Sequence, residues 1–96
     1  MIKIELFKWY KYLEMGIHPE YFLLYKHMSE WPTGSKYESF MYIHITKFFT
    51  QVNNDKGFAL NPGWIYPRLK DNTLTIDSDF IPSIDDKRTI IEQLFN

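Results

Sequence analysis

Three histidines, at positions 18, 27 and 44, are the only side chains in this 96-residue sequence that ordinarily titrate near neutrality. Acid–base chemistry would therefore rest on them or on a carboxylate shifted by its surroundings. His18 stands between Glu14 and Glu20 and directly before Pro19, His27 is three residues from Glu30, and His44 sits inside the apolar run 41–48. None belongs to an H-E-x-x-H arrangement, which would set two imidazoles and a base on one helical face. We expect His18 and His27 at the surface and His44 half-buried and hydrogen-bonded. A metal site of His18, His27, Glu20 and Glu30 would need helix ends to converge, and nothing in their spacing demands that. Nucleophile chemistry lacks its usual frames, because the chain has no cysteine and no G-x-S-x-G, and Gly16, Gly34, Gly57 and Gly63 are too far apart for a phosphate loop. No catalytic residue, metal, cofactor or small-molecule substrate is expected.

Positioning elements are read from spacing. Leu6, Trp9, Tyr10 and Leu13 follow i, i+3, i+4, i+7, which predicts a helix over 3–14 closed by Gly16. Pro19 and Glu20 suit a helix start, which predicts a second helix over 19–31 stopped by Pro32. Ser35-Lys36-Tyr37-Glu38 has the form of a capping box and predicts a third helix over 36–52, although residues 39–52 also fit a strand through their β-branched and aromatic alternation. A β-hairpin is expected over 64–69 and 73–77 around Asp71-Asn72, with Pro67 marking an edge. Ser83 followed by Asp85 and Asp86 predicts a last helix over 84–95, with Ile90, Ile91, Leu94 and Phe95 as its core stripe. The expected fold is one α+β domain over 1–96, of about four helices packed with one hairpin.

Charge selects no partner class, since 11 Lys and Arg face 12 Asp and Glu. A nucleic-acid reading rests on Lys8, Lys11, Lys47, Arg68 and Lys70, with the 64–77 hairpin as the wing of a winged-helix-like DNA-binding protein. Against it, the third helix would offer Phe40, Met41, Ile43, Ile45, Phe48 and Phe49 where a groove reader needs polar and basic side chains.

Aromatic content is the unusual quantity: 19% of residues are Phe, Tyr or Trp and a single alanine occurs, so a chain this small leaves several rings at its surface. That favours a non-enzymatic, protein-binding adaptor or inhibitor, whose partner is another protein or a second copy of itself. Trp31, Tyr37, Trp64, Tyr66 and Arg68 are the candidate interface residues, the last three alternating on one strand face. The run Glu92-Gln93-Leu94-Phe95 resembles the end of a bacterial sliding-clamp peptide, but Ile91 stands where that motif carries the glutamine that gives it specificity. Low alanine and a Lys, Ile, Asn and Phe bias match AT-rich coding, as in a bacterium, phage or mobile element. No apolar run reaches membrane-spanning length and the N-terminus has no signal-peptide pattern, so a cytoplasmic location without membrane association is expected.

Overall fold

Tyr21-Phe22-Leu23-Leu24-Tyr25 contains no residue that a helix would turn to water, and it forms the middle of a strand. The computed structural model describes residues 3–13, 16, 18–28, 38–53 and 60–95. They form β1 (Trp9–Tyr12), β2 (Glu20–Met28), β3 (Ser39–Ile45), β4 (Thr50–Asn53), α1 (Pro62–Lys70), β5 (Leu74–Ile76) and α2 (Ile84–Leu94). All five strands belong to one antiparallel sheet in the order β4-β3-β2-β1-β5.

Each face of that sheet carries its own core. On one face Tyr10, Phe22, Leu24, Phe40 and Leu74 are buried beneath Ile65 of α1. On the other, Ile43, Ile45 and Val52 are buried, with Trp9, Tyr21, Leu23, Phe80 and Ile90 packed around them. The chain wraps the sheet to do this. After β4 it bridges back to β3, where Phe40 and Leu60 exchange backbone hydrogen bonds of 2.6 and 3.0 Å, and α1 leads to β5 beside β1. Phe80 then stacks on Tyr21 at 3.7 Å between ring centres on the opposite face, and α2 returns to the β4 edge.

This architecture corrects the four-helix expectation. Residues 9–12 are strand because Trp9 and Tyr10 serve opposite faces; their helical spacing with Leu6 and Leu13 arises in a strand that is apolar on both sides. Residues 20–28 are the second strand, with Pro19 just before it, where a missing donor is tolerated. Within 36–52 the strand alternative holds in two pieces, β3 and β4, joined by a turn at 46–49. The proposed capping box begins at Ser35, outside the described residues.

The expected 64–69 strand is helix α1. Asn61 caps it by accepting from the Trp64 amide at 3.0 Å, and Pro62 opens the first turn, a start signal that Pro67 masked. Residues 74–76 are a strand, but they pair with β1 and not with 64–69, so the hairpin does not exist. Asn72 does take the positive φ expected of it, 66°, in the turn that follows α1. The last helix begins where its signals placed it, with Ser83 accepting from the Asp86 amide at 3.1 Å.

Candidate functional site

The antiparallel order brings the β1–β2 connection and the β3–β4 turn to the same end of the sheet. Glu20 opens β2 and His44 lies near the end of β3, on the face that carries Phe22. The His44 ring stacks on Phe22 at 4.2 Å, meets Phe49 edge-on at 5.1 Å, and has Nε2 2.7 Å from Glu20 Oε1. Beside this pair is a cavity of about 390 Å³ bordered by His18, Glu20, Thr46, Lys47, Phe48 and Phe49. The half-buried, hydrogen-bonded histidine that the sequence suggested is therefore present, with a carboxylate partner 24 residues away that spacing could not reveal.

Burial holds the His44 imidazole below its ordinary proton affinity, while the Glu20 hydrogen bond and charge oppose that effect. At neutral pH the ring is uncharged and donates from Nε2 to the carboxylate. The pair can hold a proton. An unfolded chain binds that proton at the ordinary value of 6.5 and the folded chain resists it, so stability falls as the pH drops below 6.5. Solvent at the Glu20 side of the pair, which is more exposed than His44, screens and so limits the loss. Melting temperatures at pH 7.5 and 5.5 should therefore separate more in the wild type than in His44→Gln, which keeps a donor without titrating. Equal separations would sink this assignment.

Other predicted positions disperse. His27 is at the far end of β2 from Glu20, about 23 Å along the strand at 3.3 Å per residue, so these two cannot share a metal. Among the described residues no group of three metal-ligating side chains comes together. Trp31, Tyr37, Glu14 and Glu30 lie outside the described residues. Trp64 and Arg68 share one side of α1, where the Trp64 ring meets Tyr12 at 5.3 Å and Phe22 at 5.6 Å, and the guanidinium lies 4.3 Å over the indole. These two close the core rim, while Tyr66 is exposed beside a second cavity of about 300 Å³ with Lys3, His27 and Glu38. Lys11 is level with Tyr21 on the α2 side of the sheet, opposite α1 with Arg68 and Lys70, and Lys47 is at the β3–β4 turn. The five basic residues form no single stripe, and the wing they were to share is absent.

A second feature escaped sequence reasoning. α2 holds the sheet by its polar side: Gln93 Oε1 accepts from the Val52 amide at 2.6 Å, Gln93 Nε2 donates to the Thr50 carbonyl at 3.2 Å, and the Thr50 hydroxyl donates to Asp86 at 2.6 Å. Ile90 reaches the core, but Ile84, Ile91 and Phe95 point to solvent, exposed by 76, 56 and 83%. Leu94 is exposed as well. The core stripe expected of Ile91, Leu94 and Phe95 is thus an outer surface. The available signal was the pair Asp86 and Gln93, seven residues apart on the opposite side.

The fold and sites define a sheet-dominated α+β protein with a helix on each face. No protein-family model, curated protein or solved structure matches the chain. Among the described residues no helix is long and apolar enough to cross a membrane.

Proposed function

We propose that this protein is a non-enzymatic binding module, an adaptor or inhibitor, that docks another protein on the outward face of α2. The observation that supports the reading is the inverted attachment of the helix. Fully burying an isoleucine or phenylalanine stabilises by about 1.5–3 kcal/mol, yet Ile84, Ile91 and Phe95 are left in water while polar side chains face the sheet. Ile81, just before the helix, is also exposed and extends the apolar surface. Positions 84, 91 and 95 fall on one helical stripe, the pattern of an amphipathic helix that lies in an apolar groove. Arg88 lies on the same side, held by Asp85 only at 3.7 Å in an exposed ion pair, so the partner groove should present an acidic group to it.

Ile91→Glu is expected to keep the far-ultraviolet circular dichroism and melting temperature of the wild type, because the side chain supports little of the fold. The same variant should abolish capture of a stoichiometric protein partner by the tagged chain, or dissociate a dimer if the native mass shows that the partner is a second copy. A monomer that captures the same proteins with and without the substitution would refute the docking surface.

A further inference from the structure

The cavity at the sheet end is lined by no residue of α2. Its wall is the β3–β4 turn, which is held by its own hydrogen bonds: the Thr46 amide donates to the Phe49 carbonyl at 2.8 Å, and the Phe48 and Phe49 amides donate to Thr46 Oγ1 at 3.0 and 3.1 Å. Lys47 and Phe48 are the two residues at its tip. Neither Lys47 nor Phe48 has a positive φ, so the turn accepts most residue types and its geometry does not itself call for a lysine or a phenylalanine. Packing does not call for Phe48 either, since its ring is 83% exposed.

The charges at the rim are unequal in their partners. Glu20 accepts a hydrogen bond from the uncharged His44 ring at 2.7 Å, which satisfies one of its oxygens and leaves its negative charge in place. Lys47 has no carboxylate within ion-pair distance among the described residues. Its ammonium lies 3.1 Å from His18 Nε2, a nitrogen that accepts only while the ring is uncharged, and 5.9 Å from the centre of the Phe48 ring. A volume of about 390 Å³ is within the range of small-ligand pockets, which combine apolar walls with a few polar groups that fix orientation.

We propose that this cavity binds an apolar carboxylate, with an aryl or branched alkyl body against Phe48 and Phe49 and its carboxylate accepting from the Lys47 ammonium. The ion pair formed there would give Lys47 an anionic partner that no described residue supplies, and the body would cover ring surface now in water. No bond is made or broken. The ligand is bound and not turned over.

The test is a titration of the isotopically labelled full chain, followed by amide chemical shifts, with 3-phenylpropionate, 3-phenylpropanol and 3-phenylpropylamine, three probes that share one body. The acid should shift the amides of residues 46–50 with a Kd on the order of 1 mM, as expected for about a dozen heavy atoms at ordinary ligand efficiency, and bind about tenfold more tightly than the amine. Lys47→Gln should erase that preference, and Phe48→Ala, which removes an exposed ring, should weaken all three probes without unfolding the chain. N-acetyl-Ala-Ala-Phe, with and without its terminal amide, distinguishes the sources: tighter binding of the free-acid peptide than of 3-phenylpropionate assigns the ligand to a chain end, and weaker binding assigns it to a free acid. Absence of saturable shifts at the turn, an amine bound as tightly as the acid, or a preference that survives Lys47→Gln would each overturn the proposal.

Discussion

Replacing Ile65 by alanine is expected to cost about 3 kcal/mol and to lower the melting temperature by roughly 15 °C, near the middle of the range for a deleted core aliphatic. Ile65 is the only fully buried residue of α1, 1% exposed, and it packs on the face that contains Tyr10, Phe22, Leu24 and Phe40. α1 is nine residues long and contains Pro67, so its own propensity cannot maintain it and its docking must. The internal control is Ile84→Ala on α2. The chemical change is identical, but Ile84 is exposed, and the unfolding free energy read from a urea titration should change by less than about 0.5 kcal/mol. Equal effects of the two substitutions would mean that the two cores are placed wrongly.

Gln93→Leu is expected to destabilise by about 2 kcal/mol, because it leaves the Val52 amide and the Thr50 carbonyl of a half-covered strand edge without their partners. The carboxamide satisfies that edge as a neighbouring strand would, with one acceptor and one donor, and so protects β4 from pairing with another chain. Gln93→Glu should be at least as harmful at neutral pH, since a carboxylate can accept from Val52 but sets an oxygen against the Thr50 carbonyl. Hydrogen exchange at the Val52 amide reads the effect directly: both variants should accelerate it, and unchanged exchange would exclude this latch.

The two variants address the parts of the molecule that local pattern could not reach. Residues 9–12, 20–28 and 39–45 look helical or ambiguous because the strands are covered on both faces. Trp9 and Tyr10, or Phe22 and Leu23, are then apolar neighbours that point opposite ways, and the alternation that marks a one-sided strand is lost. Pro67 suggested an edge strand over 64–69, yet Asn61 and Pro62 already carried the start signal of the helix that is there. For the candidate sites, Lys47 and His44 were visible as residues of interest. That Glu20 and His18, weighed in the sequence only as metal ligands, would be their neighbours was not visible, because these two reach them only through the pairing of β2 with β3.

What the sequence determined by itself was local and chemical: the Ser83 cap and acidic first turn of α2, the positive φ at Asn72, and a surplus of rings too large for one small core. Only the tertiary structure decided strand against helix in the first half and which side of α2 faces inward. An amphipathic helix offers two stripes, and the choice between them depends on the surface it meets. Here that surface is a strand edge with an unpaired N–H and C=O, where leaving each buried group unmet costs about 1–3 kcal/mol. A glutamine side chain can meet both groups and an isoleucine neither, so the polar stripe turned in and the apolar one was left facing water.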